Sequence, residues 1–273
     1  MHRRIGVFLH WLRGRRNGVT GAELLSFLLS PPAQARAGRL IDAIREDVDI
    51  FRVHLVGVRE PLVWPKSVDL SWLYVVLAEQ SCPDDWHYYE VPQTSVQPDD
   101  VVVDCGAAEG LFTLRVTGRA KQVYAVEPLP LWVNCMRRTF EGVTNVQVVP
   151  CALSDRPGRL RLQSHGLASK LDQEGEIEVS VETIDSLFFN KGVEVSYLKA
   201  DLEGHDFKML LGARRTIAQS GPRIAITTYH APDHAPLMID FLKTVNPRYQ
   251  FRTKGIETAF GAPMMLHAWV DRS

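Results

Sequence analysis

From about residue 100 onward, the chain alternates short apolar runs with helical segments. Strand-like runs at Val101–Asp104, Gln122–Glu127 and Val146–Leu153 are separated by helical segments at Leu111–Thr117 and Leu131–Phe140. This alternation predicts βαβ units and a mainly parallel sheet, because each parallel connection needs a crossover. Ligands of such sheets bind beyond the carboxyl ends of the strands.

The pattern is interrupted once and then resumes. Two runs of period-two alternation predict an antiparallel hairpin, Arg159–Gln163 with Glu176–Glu182. The later predicted elements are strand Ser196–Asp201, helix Asp206–Gln219, strand Arg223–His230, helix Asp233–Val245 and strands Tyr249–Thr253 and Met264–Val270. The expected fold class is α/β, an open sandwich around a seven-stranded mixed sheet.

The first 85 residues follow a different, mostly helical pattern. Thr20 and Glu23 have the spacing of a capping box. A further helix is expected from about Ala33 to Glu46, then a strand pair over residues 50 to 64 and another helix. We therefore expect an α-rich N-terminal extension over residues 1–85 and a ligand-binding domain over residues 86–273.

Charge and cysteine content exclude several classes of protein. With 31 basic and 32 acidic residues the net charge is −1, which gives no electrostatic case for a nucleic-acid partner. The four cysteines form no CxxC pair and are typical of reduced thiols in a cytoplasmic protein. No apolar run reaches the roughly 18 residues of a membrane span. The basic start indicates a solvated helix or a homo-oligomer contact made by the extension, and a membrane anchor is the less favoured alternative.

The loop after the first predicted strand indicates a nucleoside ligand. Gly106 and Gly110 allow a sharp turn and a close approach of the backbone, and the next helix offers free N–H groups. Glu127 ends the second strand, 17 residues after Gly110, where a carboxylate accepts hydrogen bonds from ribose hydroxyls. The simpler alternative is a tight turn followed by a solvated glutamate.

The spacing of the glycines discriminates between nucleosides. A dinucleotide fingerprint has three glycines as GxGxxG, whereas this loop has Gly106 and Gly110 with Glu109 between them. A carboxylate repels a pyrophosphate but attracts an ammonium or a sulfonium. S-adenosylmethionine carries both cations, so it is the favoured ligand and a dehydrogenase is disfavoured.

Five segments extend this interpretation to a family. VVDCGAAEGLF, YAVEPLP, VPCALSD, VETIDSL and LKADLEGHDFKMLLGA occur in this order. Over about Glu90 to Val270 the chain resembles the FkbM-type methyltransferases, a branch of the class I S-adenosylmethionine-dependent enzymes. The resemblance implies a Rossmann-like fold, S-adenosylhomocysteine as product and methylation of hydroxyl oxygens. The chain departs from the family pattern at His205, where a small residue is usual.

The resemblance also implies a set of cofactor contacts. Asp104 and Gly106 are expected at the methionine end, Glu127 at the ribose, and the segment Ala152, Leu153 and Ser154 at the adenine. Tyr89 either covers the methionine or is a buried aromatic residue. The other expected cofactor residues are Glu109, Gly110 and Asp201.

The ends of the fourth and fifth strands carry the expected catalytic groups, Asp201, Glu203 and His230. Methylation of a hydroxyl requires removal of its proton, and His230 has the reference pKa of a base. Asp201 and Glu203 either accept the acceptor's hydrogen bond or bind a divalent cation together with His230. A structural histidine and a helix cap are the simpler interpretations of His230 and Glu203.

The predicted function is O-methylation of a sugar or of another glycosylated or natural-product metabolite. The acceptor is then a small molecule or a glycan. One alternative is an N-methyltransferase, whose amine acceptor needs no strong base. Another is a scaffold that binds the cofactor without turnover.

Overall fold

A computed structural model describes residues 2–165, 168–171 and 177–271. The helices are α1 His2–Leu12, α2 Gly21–Leu29, α3 Ala33–Ala37, α4 Leu70–Ser81, α5 Leu111–Val116, α6 Pro130–Thr139, α7 Ile184–Leu187, α8 Asp206–Leu211, α9 Arg214–Ser220 and α10 His234–Val245. The strands are β1 Ile41–Glu46, β2 Ile50–Leu55, β3 Leu62–Pro65, β4 Val101–Cys105, β5 Gln122–Val126, β6 Val146–Val149, β7 Ala152–Leu153, β8 Gly158–His165, β9 Ala168–Leu171, β10 Ile177–Glu182, β11 Tyr197–Ala200, β12 Arg223–Thr227, β13 Gln250–Lys254 and β14 Met265–Trp269. Short 3-10 helices cover Gly38–Leu40, Pro92–Thr94 and Phe189–Lys191.

The main sheet has seven strands in the order β13-β14-β12-β11-β4-β5-β6. The strands from β12 to β6 are parallel neighbours, whereas β14 is antiparallel to both β12 and β13. β5 and β6 follow β4 toward one edge of the sheet, whereas β11 and β12 lie on its other side toward the opposite edge. The strand order therefore reverses between β4 and β11. The predicted α/β fold class, an open sandwich around a seven-stranded mixed sheet, is confirmed.

A second sheet contains the predicted hairpin. β8 and β10 pair antiparallel, as their alternation predicts. The sheet also includes β9, paired with β8, and the short β7, which runs parallel to β10. Glu176, the first residue of the predicted second strand, lies outside the described residues.

The expected helix over Ala33–Glu46 is wrong in its second half. Only α3 and a 3-10 turn are helical, and β1 then pairs with β2 in a three-stranded antiparallel sheet. The pairing register shifts between Ile41 and Ala43. Because this bulge brings Ile41 and Ile44 to the same apolar cluster, their three-residue spacing imitates the period of a helix. The expected strand pair over residues 50 to 64 and the helix after it are confirmed.

Three other predicted boundaries differ from the structure. Strand Val146–Leu153 is divided at Pro150, which has no N–H to continue the ladder, so β7 joins the second sheet. Helix Asp206–Gln219 is two helices separated at Gly212, where a Cβ would lie 2.2 Å from the carbonyl oxygen of Ser154. Strand Arg223–His230 ends at Thr227, which leaves His230 beyond the sheet.

The N-terminal extension packs against the sheet layers. β2, β3 and α4 share an apolar cluster with α5 and α6, which includes an edge-to-face pair of Trp64 and Trp132. α1 and α2 share another cluster with β4 and β14. Side chains of Asn17 and His10 bind carbonyl groups of residues 255–261, so the start of the chain is held on the loop after β13. The domain boundary near residue 85 stays a prediction. No helix in the described part of the chain is long and apolar enough to cross a bilayer.

Candidate active site

A cavity of about 500 Å³ lies beyond the carboxyl ends of β4, β5 and β11. Its volume is typical of small-molecule sites. Six acidic side chains line it against two basic ones, Lys199 and His87. The acidic residues are Asp69, Glu79, Glu109, Glu127, Asp201 and Glu203. The excess of carboxyl groups favours a ligand that carries positive charge.

The glycine loop after β4 turns as predicted, but its glycines face protein rather than open space. Gly106 has a φ of +71°, and a Cβ there would lie 2.1 Å from the carbonyl oxygen of Asp201. Gly110 has a φ of +83° and packs on Met136 of α6. Gly106 therefore brings β4 against β11, and it lines the cavity, whereas Gly110 does not.

Two glutamates at this loop, Glu127 and Glu109, are buried. Glu127 accepts hydrogen bonds from the backbone N–H of Ala108 at 3.0 Å and of Leu129 at 2.9 Å. Glu109 accepts one from the amide of Gln80 at 3.0 Å. Burial raises the pKa of each glutamate to about 7, although these hydrogen bonds oppose the shift. The pair is therefore partly protonated near neutral pH until a cation approaches.

Asp104 lies behind the cavity wall rather than in it. It is fully buried, and the ammonium of Lys199 lies 2.9 Å from its carboxylate. The hydroxyl of Thr113 donates to its other oxygen at 2.8 Å, and Lys199 also donates to the carbonyl of Gly106. Asp104 thus holds the ammonium that fixes the glycine loop.

Helix α4 of the extension forms one wall of the cavity, which sequence reasoning missed. Trp72, Val75, Val76 and Gln80 line it, and Trp132 of α6 does so as well. Among the described residues, the buried Gln80 Oε1 and Trp132 Nε1 have no hydrogen-bond partner. An unpaired acceptor and an unpaired donor on the walls of one cavity fit a ligand with polar groups of both kinds.

Asp201 is the centre of a hydrogen-bond network. It accepts from the Tyr89 hydroxyl at 2.9 Å and contacts His87 Nε2 at 3.2 Å, while His87 Nδ1 lies 3.3 Å from Glu79. Burial opposes the charge of His87, but these two carboxylates outweigh it and raise the pKa of His87 to about 10. Burial likewise opposes the charge of Asp201, yet His87, Lys199 and His230 hold the pKa of Asp201 well below its usual range.

His230 is enclosed by three carboxylates and does not line the cavity. Its Nε2 lies 3.3 Å from Glu203 and 3.8 Å from Asp201, and its Nδ1 lies 3.4 Å from Asp206. Burial opposes its charge, but the carboxylates raise the pKa of His230 to about 10. At neutral pH the side chain is an imidazolium, which has no lone pair to accept a proton.

Glu203 lies between His230 and the cavity. Its backbone has a φ of +50°, a left-handed conformation that is unusual for a glutamate. Glu203 does not cap α8, because the N-cap residue is His205 and no side chain accepts from the first N–H groups of this helix. Asp206 fixes the turn before the helix by accepting from the backbone N–H of Leu202 and Gly204. The strained turn points the Glu203 carboxylate toward the cavity, where His205 also lies.

Asp201, Asp206 and His230 form the cluster in the described part of the chain that could hold a metal ion. One ligand atom each of Asp201, Asp206 and His230 lies within 4.8 Å of the others. Both oxygens of Asp206 already accept backbone hydrogen bonds, and Asp201 accepts from Tyr89 and His87. Since the proton on His230 already supplies a positive charge among these carboxylates, the donor set fits a protonated histidine better than a metal ion.

A smaller cavity of about 200 Å³ adjoins the first. Glu79, His87 and Tyr229 line both cavities. The remaining lining residues of the smaller cavity are Arg3 from α1, Glu257 and Thr258 from the loop after β13, and Met264. The extension therefore contributes to both cavities.

Most of the predicted site residues meet in the larger cavity. Those that line it are Tyr89, Gly106, Glu109, Glu127, Ala152, Leu153, Asp201 and Glu203. Asp104, Gly110, Ser154 and His230 lie behind its wall or beside it. Ser154 is buried and donates to Asp155. The backbone of Ser154 packs closely on Gly212, where a Cβ would lie 2.2 Å from the Ser154 carbonyl oxygen.

Comparison with solved structures finds methyltransferases with similar folds. The structure is similar to a methyltransferase FkbM from Methylobacillus flagellatus, with 20% identity and a TM-score of 0.51 over 92% of this chain and 63% of that one. Looser likenesses are Trm5b from Pyrococcus abyssi, with 13% identity and a TM-score of 0.45 over 83% and 57% of the two chains, and a precorrin-6y C5,15-methyltransferase from Geobacter metallireducens, with 14% identity and a TM-score of 0.42 over 65% and 84%. No curated protein matches significantly.

A comparison of the sequence with family models identifies the family. A family model described as the methyltransferase FkbM domain matches residues 104–252, from the end of β4 to β13. The match includes the glycine loop, Glu127, Asp201, Glu203 and His230. It covers more than half of the 273 residues, and the chain belongs to the FkbM methyltransferase family.

Proposed function

We propose that this protein transfers a methyl group from S-adenosylmethionine to a hydroxyl of a sugar or of another glycosylated or natural-product metabolite. The observation that carries the proposal is the larger cavity, with its six acidic side chains beyond the carboxyl ends of the strands. Its charge complements a ligand that bears an ammonium and a sulfonium. The sulfonium supplies an activated methyl group, and the protein's own residues orient the acceptor and remove its proton.

The proposed cofactor contacts follow the walls of that cavity. Glu127 holds the ribose hydroxyls, since its carboxylate lines the cavity while two backbone groups fix its position. Glu109 and the unpaired Gln80 Oε1 receive donors of the ligand. Ala152, Leu153 and Trp132, which line the same cavity, supply apolar surface for the adenine.

Asp104 and Gly110 do not touch the cofactor in this proposal and act through other groups. Asp104 holds Lys199, which fixes the glycine loop, and Gly110 shapes the start of α5. Tyr89 is buried and donates to Asp201, so it positions that carboxylate at the wall of the cavity. Asp201 keeps its place in the proposed site as a hydrogen-bond acceptor.

We assign the body of the acceptor to the smaller cavity, with its hydroxyl reaching past Tyr229, His87 and Glu79 into the larger cavity, where Glu203 lies. Glu203 is then the group that accepts the acceptor's proton, with the His230 imidazolium 3.3 Å behind it. His230, predicted as a base, is instead proposed to stabilise charge on Glu203. General-base assistance of this kind is worth about 10²–10⁴ in rate.

The state of His230 also favours a second candidate function, N-methylation. An amine has its own lone pair and needs only a weak acceptor for its proton, so a protonated His230 would not hinder it. The two functions differ in the panel of acceptors they use. Hydroxyl acceptors should be strongly affected by Glu203→Gln, and amine acceptors little.

The first experiment is calorimetry with S-adenosylhomocysteine and with NAD. Binding of the first without the second supports the proposed cofactor, and the reverse result overturns it. Turnover is then measured as S-adenosylhomocysteine release with panels of glycosides and amines. Glu203→Gln should lower hydroxyl methylation about 10²–10⁴-fold at unchanged cofactor affinity, with the exposed Glu194→Gln as the matched control.

The same assay tests the remaining alternatives. Cofactor binding without turnover on any acceptor favours a scaffold. Because the carboxylates around His230 already have partners, we expect a chelator to leave turnover unchanged. Loss of activity with chelator and recovery with magnesium would establish the cation role instead.

A further inference from the structure

The exposed apolar side chains of the extension are concentrated on α1 and α2. Along α1 they recur at the spacing of one helix face, and along α2 they lie four residues apart. These residues, here called the outer hairpin surface, are Ile5, Phe8, Leu9, Leu12, Leu25 and Leu29. Leu12 is 57% exposed and Leu29 is 72% exposed.

The outer hairpin surface points away from the rest of the protein. Val7 of α1 and Leu24 of α2 are buried in the cluster that includes β4 and β14. Arg4 donates to the carbonyl oxygens of Leu28 and Ser30, which ties the start of α1 to the end of α2. Both helices thus bury one side and present apolar side chains to solvent on another, and the Arg4 contacts hold the two helices together.

The same segment is strongly basic. Residues 1–22 contain five arginines and no aspartate or glutamate, although the whole chain has a net charge of −1. Arg13, Arg15 and Arg16 follow α1 directly and are exposed. The first acidic residue, Glu23, is held in the capping box of α2. Positive charge therefore borders the outer hairpin surface without a nearby countercharge from its own segment.

We propose that the outer hairpin surface binds the surface of an anionic lipid bilayer. An amphipathic element with exposed leucine and phenylalanine and a basic border lies in the interface of such a membrane, where apolar groups enter the acyl boundary and arginines meet anionic headgroups. A second copy of the chain fits less well. A two-fold symmetric contact over this surface would bring Arg13, Arg15 and Arg16 of one protomer close to the same three arginines of its partner.

The proposal is tested by sedimentation with lipid vesicles. We expect the full-length protein to sediment with vesicles that contain phosphatidylglycerol and to remain unbound with pure phosphatidylcholine. Binding should weaken as sodium chloride is raised, because salt screens the arginines. Equal binding to both kinds of vesicle, or to neither, overturns the proposal.

Substitutions then locate the surface. The double variant Phe8→Glu with Leu12→Glu should reduce vesicle affinity at least tenfold, and Arg13→Glu should reduce it about fivefold. Leu237→Glu on α10, which is 41% exposed, is the matched control and should leave affinity unchanged. Thermal unfolding of each variant checks that the fold is retained. A dimer that the double variant dissociates, together with unchanged vesicle binding, would assign the surface to self-association.

Discussion

At the scale of single residues, Glu127 stabilises the fold and also lines the proposed cofactor site. It is 5% exposed and accepts hydrogen bonds from two backbone N–H groups, so it belongs to the fold as well as to the proposed ribose site. Its location at the end of a strand would suggest that the side chain can be truncated without loss of stability. Alanine would leave two buried N–H groups unpaired, so a glutamine is the better probe.

We expect Glu127→Gln to weaken S-adenosylhomocysteine binding by about 1.5–3 kcal/mol, the range for hydrogen bonds to a charged group. The free energy of unfolding should fall by about 1–2 kcal/mol, because the amide group offers one acceptor where the carboxylate offers two. Calorimetry and denaturant unfolding measure the two effects. Glu178→Gln, on the exposed face of β10, is the control, and an unchanged affinity would contradict the ribose assignment.

The pKa values of Glu109 and Glu127 give a pH dependence at the same scale. Both lie at about 7 in the unliganded protein, and a cationic ligand favours the ionised forms. Affinity for S-adenosylmethionine should therefore rise as pH rises from 6 to 8, with release of protons on binding. Calorimetry in buffers of different ionisation enthalpy measures that release.

Gln80→Ala sharpens this test. The hydrogen bond from Gln80 lowers the pKa of Glu109, so its loss should move the midpoint of the pH dependence upward. Gln219→Ala, on the exposed side of α9, should leave the midpoint in place. A pH-independent affinity in the unmodified protein would show that neither glutamate changes its ionisation on binding.

At the scale of elements, α1 and α4 have different relations to the two cavities. α4 lines the larger cavity, whereas α1 reaches only the smaller one, through Arg3. Deleting residues 1–19 should thus leave S-adenosylhomocysteine affinity within about threefold while acceptor turnover or self-association changes. The truncated chain also loses the contacts of Asn17 with the carbonyl groups of Gly255 and Gly261, so its melting temperature should fall.

Calorimetry and light scattering measure the outcome of this deletion, with Arg3→Ala as the smaller change at the same cavity. Loss of cofactor binding in a truncated protein that is still folded would contradict the separation of α1 from the cofactor site.

The elements that sequence alone predicts correctly are those whose signal is local. The βαβ alternation, the hairpin and the Thr20 capping box depend on neighbouring residues and are confirmed. β1 is different, because its bulge gives strand residues the spacing of a helix. α4 as a cavity wall has no local signal either, since the pairing of Gln80 with Glu109 joins residues 29 positions apart.

The residues of the candidate site also differ in how far the sequence predicts them. Residues at strand ends, such as Asp201 and Glu127, can be placed because parallel strands end at one edge. The ionisation of His230 could not be predicted, because it depends on Asp206 and Glu203, whose orientation is set by a turn with a left-handed residue. The reference pKa of an isolated histidine says nothing of such surroundings.

At the scale of the whole molecule, two imidazolium groups link stability to pH. The folded-state pKa values of His87 and His230 lie at about 10, above the unfolded value of 6.5. Their stabilising contribution is therefore fully present below about pH 6.5 and is lost as pH rises through about 10.

We expect His230→Asn to lower the free energy of unfolding by about 3 kcal/mol at pH 7, because three carboxylates lose their countercharge. The difference in the free energy of unfolding between the variant and the unmodified protein should become smaller toward pH 10. Denaturant unfolding over this pH range measures it, with His54→Asn on β2 as the control. A difference that stays constant with pH would mean that His230 is neutral in the folded protein.

The two adjoining cavities also have a kinetic consequence. Among the described residues, three side chains line both, and the other walls come from different elements. Under the proposed function, donor and acceptor then occupy separate compartments, and neither has to leave before the other enters. The order of substrate addition should be random rather than compulsory. The methylated product should compete with the acceptor, whereas it would not do so if S-adenosylmethionine had to bind first.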